Sequence, residues 1–356
     1  MKHLALLATT AVLLMMSGCA TQVGYLAKQG RYLFRDGTGT RDVKTLIADP
    51  ATPEDTRQFL KRVGDIKAFA VGTIGLKDNA NYTRYKELGR DHLVDVVQAC
   101  DAASFSVYLW SYPFLGKLPY KGFYEKADAD AEAARLKAEG YDTLIRPVDA
   151  FSTLGFTKDP LYSFMKKYST FQIASLVIHE QTHATLFIKG QPDFNEELAT
   201  FVGDEGAFEW LRLRFGADSR EYRDAMGENT DAGTFMRQLA DLSTQLQDVY
   251  ATTLSREEKI ARKAVLIASF QERFAAQAAT LFQTETYRSL GKITVNNAVL
   301  SLYRLYSNDV PLLRMYWDRR CGGDLRRFME AARAFAKKGD VKTQMRAELG
   351  LDKAPP

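Results

Sequence analysis

Read from the N-terminus, apolar residues first run together from Leu4 to Met16 behind a single cation, Lys2, and Ser17-Gly18-Cys19 closes the run. It is shorter than the ~20 residues a membrane-spanning helix needs. Residues 24–34 read as a short tether or first helix. Strand character begins at Leu93-Val94-Asp95-Val96-Val97, returns between Phe105 and Phe114, and again from Tyr141 to Phe151. These stretches are rich in β-branched and aromatic residues, which suit a half-buried pleated surface. Between the last two, the Ala-rich charged segment 127–139 reads as a helix that meets Gly140 where a C-terminal cap favours positive φ. Beyond Asp159-Pro160 the pattern turns helical with little interruption. Phe171 to Ile178 is apolar on nearly every face, so that helix is expected inside the protein. A further helix covers Asn195 to Val202. Ser255-Arg256-Glu257-Glu258 is a capping-box start for a long helix toward Leu290, against which residues 233–252 pack as a hairpin. The pattern predicts an α+β protein, with a small mixed β-sheet in the N-terminal half and a mainly helical C-terminal half.

With 356 residues, 46% of them hydrophobic, the chain can bury a large core, and disorder is excluded. No Pro/Gly/Ser-rich linker or internal repeat divides it, so residues 46–345 are expected to form one domain after a tether and first helix at 19–45. A net charge of +4, from 48 basic and 44 acidic side chains, is spread without any basic cluster interleaved with aromatics, so no nucleic-acid partner is expected. Ser17-Gly18-Cys19 resembles the lipobox of bacterial lipoproteins, with Met16 where Leu is usual. That resemblance implies loss of residues 1–18 as a signal peptide and acylation of Cys19, which would tether the protein to the bilayer on the periplasmic side of the bacterial envelope. Ala20, in place of Asp, favours the outer membrane by the same resemblance. An ordinary cleaved signal peptide is the plainer alternative. Cys100 and Cys321 could pair in an oxidising compartment or stay as buried thiols.

His179-Glu180-Gln181-Thr182-His183 lies at the end of the apolar helix. Two histidines four apart project from one side of a helix about 6 Å apart along its axis, so both imidazoles can reach one ion. Zinc suits two imidazoles and a carboxylate with an open fourth position for water, and Glu180 lies beside the first ligand as general base. The chain holds only four histidines, so chance would produce this spacing in roughly a few sequences per thousand. The alternative is a buried helix with two satisfied core histidines. For a third ligand the acidic candidates are Glu196, Glu197, Glu205 and Glu209, after a turn at 190–194 broken by Pro192. The alternative for Glu196 is a capping box with Asp193 that needs no metal, less favoured because a half-liganded zinc site would be open at two positions. No third histidine follows at the metzincin spacing.

Asn195-Glu196-Glu197-Leu198-Ala199 resembles the Asn-Glu-x-x-Ala pattern of gluzincins, which take their last ligand from a helix after the motif helix. The resemblance implies Glu196 as that ligand, with Glu197 as second choice, and zincin-like active-site helices. More widely, the chain resembles a family of bacterial zinc-dependent lipoproteins described as predicted aminopeptidases. The segments that carry this are Cys19-Ala20-Thr21, Asn81-Tyr82-Thr83-Arg84-Tyr85, Pro119 to Tyr124, Phe151 to Pro160, the motif helix, Phe194-Asn195-Glu196 and Asn296-Asn297-Ala298. The family's usual motif is close to His-Glu-Leu-Ala-His, from which Gln181-Thr182 departs at the variable positions. Membership implies a zinc metallopeptidase acting on peptides. There is no Gly-Ala-Met-Glu-Asn segment to grip a substrate α-amine, so exopeptidase specificity does not follow.

Ser152, Thr153 and Gly155 lie where an edge strand could present backbone groups to an extended substrate, although a plain turn fits equally. Tyr120, Tyr303 and His92 are the candidates for oxyanion stabilisation, His92 being better suited to a surface or capping role. Asn296-Asn297 would bind substrate, support a ligand, or simply cap a helix. The rival to a peptidase is a zinc-binding scaffold lipoprotein without catalysis. Glu180 argues against that, because a structural site has no use for a carboxylate beside its ligand. Oligomeric state is open.

Overall fold

In a computed structural model the chain is described over residues 24–112, 116–148, 159–288, 294–305 and 310–351. Helix α1 (residues 24–37) leads into strand β1 (Arg41–Asp42) and helix α2 (Val43–Ala48), which Asp42 caps through the Thr45 N–H. Helix α3 (Glu54–Phe69) buries Phe59, Leu60, Val63 and Ile66 along one stripe and runs on into a π-helical turn at Ala70–Ile74. The N-terminal half is therefore more helical than its strand signals imply.

Strands β2 (Arg84–Lys86), β3 (Val94–Asp101), β4 (Trp110–Tyr112), β5 (Gly116–Leu118) and β6 (Lys121–Phe123) precede helix α4 (Lys126–Ala138), followed by β7 (Tyr141–Val148) and β8 (Leu161–Tyr162). They form three small sheets where one was expected, in the orders β1-β2-β8, β6-β3-β7 and β4-β5. Only β1-β2-β8 is mixed, since β2 runs antiparallel to β1 and parallel to β8. The sheet built from the strongest strand signals is antiparallel throughout, with Val97 opposite both Lys121 and Ile145. The strand expected from Phe105 to Phe114 shrinks to β4 because Asp101 folds the chain back. Its carboxylate accepts the Ala103 N–H at 2.8 Å and its own N–H donates to the Ser106 carbonyl at 2.9 Å, leaving Val107 a single bridge to Cys100. Helix α4 ends as predicted, with Gly140 at φ 88°, and packs Ala129, Ala133 and Leu136 on the inner face of β3.

The helical part comprises α5 (Thr170–Thr185), α6 (Pro192–Phe215), α7 (Arg220–Ala251), α8 (Arg256–Leu281), α9 (Glu285–Arg288), α10 (Asn297–Leu305), α11 (Val310–Cys321), α12 (Leu325–Ala336) and α13 (Val341–Leu349). The expected hairpin is α7 against α8. It begins earlier and ends sooner than the pattern suggested, and it encloses its own core of Phe235, Phe270, Phe274 and Phe282. Ser255 and Glu258 exchange both capping-box hydrogen bonds at the start of α8. The main core lies between α3, α5, α6 and the α11–α13 layer. Cys100 and Cys321 are buried free thiols and form no disulfide. No described helix is long and apolar enough to cross a membrane.

Candidate metal centre

Helix α5 starts at Ser169, whose hydroxyl accepts the Gln172 N–H while the Gln172 side chain returns to the Ser169 N–H. Ile173, Ala174, Val177 and Ile178 are almost wholly buried, so the helix is held from most sides and its last turn is rigidly placed. His179 and His183 share one side, and the buried Glu180 flanks them. The His183 side chain is 2% exposed and that of His179 is 20% exposed, so one ring lies deep and the other reaches the mouth of the site.

Helix α6 begins at Pro192, whose fixed φ suits the first helical position. The cap residue is Gln191, without a side-chain capping hydrogen bond, so the Asp193–Glu196 capping box does not form and Glu196 is not held by one. Asn195, fully buried, fixes the connection between α5 and α6. Its Oδ1 accepts the Ile188 N–H at 2.9 Å and its Nδ2 donates to the Ile188 carbonyl at 2.8 Å. Two turns on, Gly203 lets the helices touch: a Cβ there would lie 2.9 Å from the Ser175 carbonyl oxygen and 3.1 Å from His179 Cβ. The Ser175 hydroxyl donates to Asp204 at 2.6 Å across the same contact.

This packing brings Glu196 over the histidine pair. His179 Nε2 and His183 Nε2 are 3.0 Å apart, and Glu196 oxygens lie 3.7 Å from the first and 3.4 Å from the second. Four ligands at zinc-like bond lengths of about 2.0–2.1 Å would be spaced about 3.3–3.4 Å apart around a tetrahedron, so the three separations fit a shared divalent cation. Burial, reinforced by His183, pushes the His179 pKa down to about 4, which keeps its imidazole neutral and its lone pair available. The hydrogen bond with His183 holds the Glu196 carboxyl below its usual range. Among the described residues, these three form a group able to hold a metal ion.

The other acids of α6 are engaged elsewhere. Glu197, the second choice, pairs with Lys342 of α13 at 2.6 Å, and Glu205 pairs with Arg314 of α11. Glu209 lies about 20 Å along the helix from Glu196. His92 sits just ahead of β3 and pairs with Asp95 at 3.1 Å, in keeping with a surface role. Tyr120 is exposed in the turn between β5 and β6. Asn297 is fully buried far from solvent: its Oδ1 accepts the Tyr250 O–H, and its Nδ2 donates to the Asp101 and Ser104 carbonyls. That leaves it no group to offer a substrate, which corrects the expectation of a binding role, and Asn296 caps α10 through the Val299 N–H. Tyr303 lies on α10, but its side chain is outside the described residues, as are Ser152, Thr153, Gly155 and Cys19.

Tyr82 escaped the sequence reading. It is the only non-glycine residue with positive φ, 61°, among those described, and it is almost wholly buried. Its N–H donates to the Asp159 carbonyl at 2.8 Å, and the Asn81 side chain bridges to Asp159. Burial, and next the charge of Glu180, raise the pKa of its phenol well above normal. A strained backbone at a buried phenol within electrostatic reach of Glu180 is what functional sites tend to retain. The only sequence signal for it was the Asn81 to Tyr85 segment among those shared with the family.

The fold is α+β, with three small sheets beside a mainly helical part that carries a two-histidine, one-carboxylate cluster able to hold a metal ion. Residues 24–347 match the model of the family described as "Putative aminopeptidase", and the chain belongs to that family. The description points to a peptidase, a hydrolase whose substrates are peptides. No curated protein and no solved structure matches the chain significantly.

Proposed function

We infer that the protein is a zinc-dependent peptidase of gluzincin type, anchored through acylated Cys19 to the periplasmic face of the bacterial envelope, with the outer membrane favoured by Ala20. The observation that carries the catalytic part is the convergence of His179, His183 and Glu196 from two helices to mutual separations of 3.0–3.7 Å. A zinc ion held there would acidify a bound water and polarise the scissile carbonyl. Glu180, buried beside the pair, takes the proton of the attacking water on its carboxylate and hands it to the leaving amine. Tyr82 keeps its phenol protonated, because burial and next the charge of Glu180 oppose its ionisation. Phe187, half exposed with its ring 6.5 Å from that of His183, offers an apolar wall to a substrate side chain.

The test joins metal analysis to peptide digestion. Wild type is expected to hold one zinc per chain and His183→Ala essentially none. Glu180→Gln keeps its zinc and loses at least ~100-fold in kcat, the usual scale of general-base catalysis. Equal zinc in wild type and His183→Ala would overturn the ligand set; equal cleavage by wild type and Glu180→Gln would overturn the mechanism. Zinc without cleavage in any form would favour a scaffold. The digest products also show whether single N-terminal residues are released.

A further inference from the structure

Helix α1 meets the rest of the protein along one face. Tyr25, Gln29, Tyr32 and Asp36 recur every three or four residues, and all four are partly or fully buried. The Tyr25 O–H donates to the Gly122 carbonyl at 2.7 Å, and its ring meets Phe123 edge-on at 5.7 Å. Tyr32 stacks on Tyr124 at 5.2 Å and donates to Glu125, while Lys28 pairs with Asp128 at 2.6 Å and Arg90 with Asp36. These contacts tie α1 to β6 and the start of α4 as a rigid part of the body.

With that face fixed, the other is turned outward, and it is apolar. Leu26, Leu33 and Phe34 are 41%, 56% and 74% exposed, and Ala27 and Gly30 lie between them. At 100° per residue these five positions span about 120° of the helix. Arg31 borders the strip on one side, exposed, and suits an anionic headgroup, while Arg35 beside it pairs with Asp36 at 3.0 Å. Cys19 precedes the helix start at Gly24 by five residues, a reach of at most about 18 Å. A chain acylated at Cys19 would hold the start of this strip within about 18 Å of the lipid surface, close enough for it to reach the interface.

We propose that the apolar face of α1 lies in the interfacial layer of the phospholipid bilayer that holds acylated Cys19, as a second attachment that fixes the orientation of the body. This rests on the anchoring part of the proposed function. The acyl chains supply the affinity. The strip supplies direction, because a helix docked on β6 and α4 transmits its tilt to the whole molecule, whereas a flexible tether would not.

The test uses the full-length acylated protein in phosphatidylethanolamine–phosphatidylglycerol vesicles. An environment-sensitive fluorophore is placed at Phe34→Cys and, as a control, at Val265→Cys, which is 70% exposed on α8. Cys100 and Cys321 are buried, so the label goes to the new thiol. Quenching by brominated lipid is expected to be severalfold stronger at 34 than at 265, with a blue-shifted emission only at 34. Equal quenching at both positions in protein that floats with the vesicles overturns the orientation alone. Failure to float overturns the anchoring and this inference with it. A blue shift at 34 without vesicles, in a soluble chain starting at Ala20 that runs as a dimer, would assign the strip to a second copy and also overturn it.

Discussion

Gly203→Ala tests whether the contact between α5 and α6 sets the ligand geometry. The added Cβ would meet the Ser175 carbonyl oxygen at 2.9 Å, His179 Cβ at 3.1 Å and His179 Cα at 3.4 Å. None of these is the tip of a flexible side chain, so relief requires the helices to part by about 0.5 Å, since ordinary carbon contacts begin near 3.5 Å. Overpacking of this kind costs about 1–3 kcal/mol, and the better helix propensity of alanine returns about 1 kcal/mol of it. His179 moves with α5 and Glu196 with α6, so their 3.7 Å separation widens by a similar amount. Metal sites hold ligand distances to about 0.2 Å, and a shift of this size is expected to weaken metal affinity at least ~10-fold. Gly64→Ala on α3 is the matched control, because its Cβ would meet nothing within 4 Å. It should raise stability by about 0.5–1 kcal/mol and leave metal affinity alone. Chemical denaturation of metal-stripped protein and titration against a chromophoric chelator read the two effects separately. If Gly203→Ala binds metal as wild type does and is no less stable than Gly64→Ala, the close-contact reasoning is refuted.

Gln181 is fully buried, and among the described residues neither Nε2 nor Oε1 of its amide has a hydrogen-bond partner. Gln181→Leu, similar in volume, should therefore stabilise the fold by about 1–3 kcal/mol; a lower melting temperature would show that the amide is satisfied. Asp204, partly buried beside Ser175, has its carboxyl pushed up to about 6 by desolvation. The folded state thus holds this proton more tightly than the unfolded chain, so stability falls as pH rises from about 4 through 6 and is level above that. Asp204→Asn should lack that fall and be more stable than wild type by about 1–2 kcal/mol at neutral pH, the two converging below pH ~4 in denaturation midpoints.

The features legible in the sequence are those fixed within one helical turn or one strand. His179 and His183 meet because they are four apart on a buried helix, and Gly140 and the Ser255–Glu258 pair mark ends that depend only on nearest neighbours. The place of Glu196 is a different kind of fact. Its sequence context left a capping role as the alternative, and what brings it beside the histidines is the start of α6 at Pro192, the Asn195 hold on Ile188 and the approach at Gly203. All three involve residues brought together by the turn between the helices. Tyr82 was invisible for a similar reason, since a left-handed tyrosine has no propensity signal and its tie to Asp159 spans most of the sheet region. The strand lost after Phe105 yielded to a single side chain, Asp101, whose turn-forming hydrogen bonds outweighed the β character of the residues around it.

The centre also predicts how folding responds to metal. Two Nε2 atoms 3.0 Å apart can satisfy one another through only one N–H, and the buried Nδ1 of His183 finds no hydrogen-bond partner among the described residues. An ionised Glu196 lies within 3.7 Å of both rings while burial opposes the protonation that would pair His179 with it. Such a cluster gains little from its own contacts, whereas one divalent cation would use both lone pairs and the carboxylate at once. Because the unfolded chain cannot present the three groups together, binding should appear as stability: about 4 kcal/mol at a zinc concentration a thousand times Kd. Calorimetry with and without zinc should show a clear rise in melting temperature for wild type and Glu180→Gln, and none for His183→Ala. An equal rise in all three would place zinc elsewhere on the protein and remove the physical basis of the site.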